Sequence, residues 1–306
     1  MPRLVSLMFA IAFALAGARI AVAQEFHFEA EPLIKECGDP SYDKAVKDGI
    51  TLGIAPVPLY SGIDPQTKQA YGLDVEINQG ALGWLGIKQI NYEIMPFSQL
   101  IAALLAKRVD VIATNIHYTP DRIKVISFTG PAWWYGPGII VRKGNPTGLK
   151  SFDDLKGKEV GAMAGTSADE YLQHMGATVV PFRTNPEHFV AVAQGRIAAV
   201  MDDDVKFLAY MKANPDQPLE MVPNVTVPDE LIFKYGYGYA RYALRKEDCS
   251  LRLAYTSALA EIRGNGMVSA ILKKYGLSNR NLFFFPAKRP TMPPGKKMIK
   301  IARKKP

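Results

Sequence analysis

The sequence predicts an α/β protein folded as two lobes around a shared cleft, and three observations carry that expectation. From residue 50 onward, short β-branched runs alternate with amphipathic stretches, the pattern of parallel-type sheets. A second alternation begins at Gly138 with "GIIVRKGNP" and leads through Pro223 to "FKYGYGYAR" at 233–241. The chain then closes with helical segments, so the second unit is inserted between early and late parts of the first. In open α/β sheets, ligands bind outside the carboxyl ends of the strands.

Each element follows from local pattern. Ala45 to Asp48 reads as the end of a short helix and "ITLGIA" at 50–55 as a strand. "YSGIDPQTKQAYG" from Tyr60 is rich in turn residues and reads as a loop. "LDVEINQGALGWLG" at 73–86 is amphipathic and stops at Gly86, where a helix commonly ends; "IKQINYEIM" follows as a strand. The leucines at 100, 104 and 105 share one apolar helix face, and Val109 to Ala113 has the character of a buried strand. In the second unit, Gly138 to Arg142 is a strand, "SFDDL" a short helix and "KEVGAMA" a buried strand. Gly165-Thr166-Ser167 turns into a helix near Ala168; "TVVPF", a helix around Glu187 to Gln194 and the strand "IAAVMD" at 197–202 follow. A long helix over 250–264 and a shorter one ending at Tyr275 complete the chain.

Arg122 stands out within "NIHYTPDRIKVISFTGP". Thr119 suits an N-cap and Pro120 the first helical position, which puts Arg122 in the first turn of a helix at the end of a strand. A cation there opposes the positive end of the helix dipole. A guest anion would remove the conflict, because free amides and a guanidinium fork converge into a carboxylate or phosphate site. The other reading is a surface arginine paired with Asp121 or a neighbouring carboxylate.

Composition narrows the function classes. The 306 residues are 48% apolar and 22% charged, typical of a soluble globular protein of two domains. Residues 1–23 read as a signal peptide: Arg3, an apolar core from Leu4 to Ala18, and "AVA" at 21–23. Export places Cys37 and Cys249 where a disulfide can form between them. The net charge of +8 is uneven. From Lys288 to Pro306 the chain carries eight basic residues and no acid, so without signal and tail the body has 27 basic against 29 acidic residues. A nucleic-acid groove is therefore not expected. The four histidines, at 27, 117, 174 and 188, lack metal-ligand spacing, and neither a G-x-S-x-G elbow nor a phosphate loop is present, so no cofactor or metal is expected.

Six ordered stretches carry a family resemblance: "YGLDVEI" (71–77), "FSQLIAALLAKRVDVIA" (97–113), "YTPDRIKVISFTGP" (118–131), "VGAMAGTSADEYL" (160–172), "GRIAAVMDD" (195–203) and "LRKEDCSLRLAYTSALAEIRGNGMVSAILKKYG" (244–276). Together they span nearly all of residues 48–276, and the chain resembles the extracytoplasmic solute-binding proteins of ABC importers, polar-amino-acid group. The resemblance implies a type II periplasmic-binding-protein-like fold. Lobe 1 would comprise residues 48–137 and 233–280 and lobe 2 residues 138–232, with an extension at 24–47 and a basic, Pro-rich tail at 281–306. It implies a periplasmic monomer that captures a small zwitterionic amino acid or derivative and delivers it to a membrane permease. By the same resemblance Arg122 holds the ligand α-carboxylate, Thr166 and Ser167 contact it, and Asp202 holds the α-ammonium. Thr166 and Ser167 as simple helix caps, and Asp202 to Asp204 as a solvated acidic turn, are the other readings.

The chain also departs from the family pattern. His117 stands where a small polar residue is usual, two positions before Thr119, and Ala55 and Pro56 stand where an aspartate is common. The expected pocket is rich in rings, with Tyr60, Phe97, His117 and Trp133 beside Asn115, which suits a cationic or cyclic nitrogen. That, with "VRKGNP" at 141–146, resembles the ectoine-binding subgroup. Trp133 and Trp134 fit core packing or ligand contact equally. Secreted cyclohexadienyl dehydratases are similar in fold, but their activity relies on a glutamate three residues after the position of Asp202, where this chain has Val205. A binding protein, not an enzyme, is the expectation.

Overall fold

The computed structural model describes residues 31–282; the expected signal peptide and the tail beyond Leu282 lie outside the described residues. Two five-stranded sheets organise the chain. In the first, Ile50–Ile54 lies between Ile90–Ile94 and Val111–Ile112, parallel to both, while Ala243–Arg245 and Ile126–Phe128 extend the far side in antiparallel register. In the second, Glu159–Met163 lies between Thr178–Phe182 and Ala199–Asp203, parallel to both, and Pro137–Arg142 and Leu219–Met221 extend it in antiparallel register. The chain crosses between the sheets twice. Those crossings pair with each other as the antiparallel strands Trp133–Trp134 and Tyr239–Ala240. This is the two-lobed α/β architecture that the alternation predicts.

Burial explains why these segments form these elements. Ala199–Asp203 is buried along its whole length, and its apolar start suits a strand covered on both faces. Its last two residues are aspartates, which places two carboxylates where the sheet gives way to the cleft. The helix Cys249–Gly264 buries Leu251, Ala254, Tyr255, Ala258, Leu259 and Ile262, a 3.6-residue stripe that packs on the helix Leu73–Trp84. Burying a side chain such as Leu251 or Ile262 contributes about 1.5–3 kcal/mol. That stripe outweighs local propensity in fixing the helix.

Two regions differ from the expectation. The helix after Thr119-Pro120 is a single turn, Arg122–Val125, because the strand Ile126–Phe128 follows at once and draws the chain into the first sheet. The residue at its N-cap is Asp121, not Thr119 as expected, and its side chain makes no cap bond, although the Thr119 hydroxyl still accepts from the Arg122 N–H at 3.4 Å. Ahead of the first strand lie two helices, Glu31–Glu36 and Ser41–Asp48, of which the local pattern marks only the end of the second. They are tied to the long C-terminal helix. Asp39 accepts from the Ser41 N–H at 3.1 Å and the Ser250 N–H at 2.9 Å, and Cys37 and Cys249 are joined by a disulfide across 212 positions of sequence. No helix among the described residues is long and apolar enough to cross a membrane.

Candidate functional site

Arg122 reaches the cleft from the first lobe and is 5% exposed. Its guanidinium donates to two backbone carbonyls, His117 O at 2.7 Å in its own lobe and Gly165 O at 2.5 Å across the cleft. Phe97 stands 5.7 Å from the guanidinium carbon. No carboxylate reaches hydrogen-bond distance. Glu170, one-third exposed, is 3.7 Å away, and Asp121 is engaged with Lys124 at 2.6 Å. Arg122 is therefore a buried residue and not a surface one; of the carboxylates named for it, Asp121 is engaged elsewhere and Glu170 forms only a long ion pair, so its hydrogen bonds go to neutral carbonyls.

The second lobe brings Thr166 and Ser167 to the same point by the turn that starts the helix Ser167–Met175. Thr166 is the N-cap. Its hydroxyl donates to Met163 O at 2.7 Å and accepts from the Asp169 N–H at 3.3 Å, so its hydrogen bonding is spent locally. Ser167 instead bonds His117 Nδ1 across the cleft. His117 Nε2 faces both the Gly238 N–H, at 3.2 Å, and the Tyr135 hydroxyl, so the ring is held by both lobes. Burial first, then the charges of Arg122, Lys206 and Arg241, hold the His117 pKa well below the ordinary histidine value, so the ring is neutral.

The acidic end is built differently. Asp202 receives Asn185 Nδ2 at 2.6 Å, the backbone N–H of Asp203 at 2.8 Å and the Lys206 ammonium, with His188 Nε2 standing 3.1 Å away, all from its own lobe. Asp203 faces the other way along the strand. It accepts from the Tyr60 hydroxyl at 2.8 Å, from the Tyr237 hydroxyl at 2.6 Å and from Lys206 at 3.0 Å. Burial pushes the Asp202 pKa up, but Lys206 and His188 outweigh it and hold the carboxyl well below the usual range. For Asp203, burial prevails over Lys206 and the pKa is raised.

Behind the wall, Asp74 is fully buried and accepts from the Asn115 N–H at 2.8 Å, the Trp133 indole N–H at 3.0 Å and the Tyr242 hydroxyl at 3.0 Å. Burial raises its pKa to about 7. Trp133 thus packs outside the cleft, edge-on to Tyr60 with ring centres 5.3 Å apart, because its only polar atom is drawn to Asp74. Asn115 lines the cleft and accepts from the Tyr135 hydroxyl at 2.6 Å.

Of the residues expected at the site, Arg122, Asp202, Thr166, Ser167, His117, Asn115, Tyr60 and Phe97 line one cavity, and Trp133 does not. Asp203, Lys206, Tyr135 and Tyr237 line it too and were not singled out by sequence. The i, i+4 spacing of Asp202 and Lys206 was the available signal. Tyr237 lies between Gly236 and Gly238, both at positive φ, where a Cβ would strike the Tyr118 ring and the Trp134 ring. Side chains from both lobes leave only ≈ 30 Å³ open, space for about one or two waters. A solute of amino-acid size needs the lobes or these side chains to part.

Residues 50–278 match the model of the bacterial extracellular solute-binding proteins, family 3. The chain belongs to that family. It is 29% identical over 249 residues to the L-cystine-binding protein TcyJ of Escherichia coli K12, covering 79% of this chain and 88% of that one. The arginine-bound form of ArgBP from T. maritima superposes with a TM-score of 0.61 at 29% identity, over 72% of this chain and 99% of that one. EhuB in complex with hydroxyectoine superposes at 0.67 over 78% and 93%; at 20% identity this likeness concerns the fold alone.

Proposed function

We propose that this protein captures a small amino acid or amino-acid derivative between its lobes, in the periplasm, and delivers it as a monomer to an ABC permease. Arg122 carries the reading. A guanidinium buried against neutral carbonyls gains most from an incoming carboxylate, which it can grip with two parallel hydrogen bonds. Ser167 supplies a further donor to that carboxylate, and Thr166 holds the turn that presents it. The α-ammonium is assigned to Asp203 in place of Asp202, since Asp203 is the carboxylate turned toward Tyr60 and Tyr237 while Asp202 is occupied within its own lobe. The lobes are taken as residues 48–137 with 233–280, and 138–232. The relatives that bind cystine and arginine support the ligand class. Binding without catalysis is the favoured reading, because Val205, apolar and buried, occupies the position of the dehydratase glutamate.

A ligand that binds only the native state raises its melting temperature. A thermal-shift panel of basic and neutral amino acids, ectoine-type compounds, opines, sugars and metal ions tests the class. Shifts confined to carboxylate-bearing amino compounds are expected; shifts from sugars or metals alone would overturn it.

A further inference from the structure

Lys206 stands in the first turn of the helix Asp204–Ala213, so its side chain curls back over the strand end that carries Asp202 and Asp203. It is 7% exposed, bonded to Asp202, 3.0 Å from Asp203, and 5.6 Å from the centre of the Tyr60 ring. Two carboxylates and an aromatic face are what holds an organic cation. Here they already hold one that belongs to the chain.

The remaining capacity of the site can be followed charge by charge. Asp202 has Lys206 on one oxygen and Asn185 and His188 on the other. Asp203 has Tyr60 and Lys206 on Oδ2 but only Tyr237 on Oδ1, which leaves room there for a ligand ammonium. With the ligand carboxylate on Arg122, the four charges lining the cavity are matched: Arg122 and Asp203 by the ligand, Asp202 and Lys206 by each other. A cationic side chain finds no further carboxylate among the cavity's lining residues; Glu170, one-third exposed, stands outside the lining at the Arg122 end. An anionic side chain finds Lys206 taken. Either would be a buried charge without its own partner, which is strongly unfavourable.

We propose that Lys206 restricts this site to amino acids with uncharged side chains, and in particular excludes cationic ones. The inference rests on Arg122 and Asp203 as the two ligand anchors. Calorimetry with the common L-amino acids and L-citrulline tests it through near-isosteric pairs: citrulline against arginine, glutamine against glutamate. In the wild type the uncharged member of each pair should bind at least about tenfold more tightly, a difference of about 1.4 kcal/mol. Lys206→Met frees Asp202 and should shift the arginine-to-citrulline ratio toward arginine by about tenfold or more. The double variant Asp202→Asn/Lys206→Met removes both charges and should restore the preference for citrulline; it also provides the comparison if the single variant does not fold. Arginine binding the wild type as tightly as citrulline, or a ratio unmoved by either variant, overturns the proposal. If that arginine binding is lost in Arg122→Ala, the function proposed above survives; if no amino acid binds the wild type at all, both fall.

Discussion

The two ends of the cleft are similarly buried, yet their charges are finished differently. At one end Arg122 rests on two backbone carbonyls with no anion at hydrogen-bond distance. At the other, Asp202, Asp203 and Lys206 form a network whose charges largely answer each other. A buried charge held by neutral dipoles is stable enough to fold around and still has most to gain from a counter-ion. A charge already paired can only exchange partners. The contrast assigns affinity to the Arg122 end and selectivity to the acidic end.

The largest effect should come from breaking the first end. Arg122→Ala leaves the ligand carboxylate buried without its partner, which costs roughly 3–5 kcal/mol, or more than about a hundredfold in affinity by calorimetry. Asp203→Asn comes next: the loss of a charged hydrogen bond to the ammonium should cost about 1.5–3 kcal/mol. Asp202→Asn sharpens the contrast between the neighbours. It should lower thermal stability while changing affinity by less than about 1 kcal/mol. Equal affinity losses in the two aspartate variants would return the ammonium to Asp202.

A pH effect on stability separates the cleft from the wall behind it. The folded-state pKa of Asp74, about 7, lies above the ordinary value of 3.8. Between those pH values the folded protein keeps a proton that the unfolded chain has released, so this group's contribution to stability falls as pH rises and levels off above about 7. Denaturation of the wild type and Asp74→Asn across that window should diverge in that direction; parallel curves would remove the assignment. The smallest effect concerns His117. Because its pKa is held well below the ordinary histidine value, ligand affinity should show no His117-dependent slope from about pH 7.5 to 5.5. A slope present in the wild type and absent in His117→Thr would contradict the neutral ring.

Local features of the chain were enough to read the two-lobed fold, while the role of Arg122 came from the family resemblance, since local pattern alone also fitted a surface pair. Strand and helix periods differ, the Thr119-Pro120 pair marks a helix start at a strand end, and Gly165-Thr166-Ser167 marks the turn into the next helix. The acidic end was less legible because it depends on orientation at a strand terminus. Asp202, Asp203 and Asp204 are adjacent and chemically identical, and only the pleat of Ala199–Asp203 decides which carboxylate meets Tyr60 and Tyr237. Lys206 looks like a surface residue until the helix start folds it back. Trp133 was drawn toward the site by its ring, but a partner 59 positions away, Asp74, fixes its indole in the core. Such long-range pairing leaves no local mark.

The most direct measurement is a double-mutant cycle between Arg122 and the ligand carboxylate. An amino acid that binds, and its C-terminal carboxamide, are titrated by calorimetry into the wild type and Arg122→Ala. A direct contact predicts a coupling on the order of 2 kcal/mol or more, with the carboxamide nearly indifferent to the substitution. Additive losses, with the acid and the carboxamide weakened alike by Arg122→Ala, would mean that Arg122 shapes the cleft without holding the carboxylate.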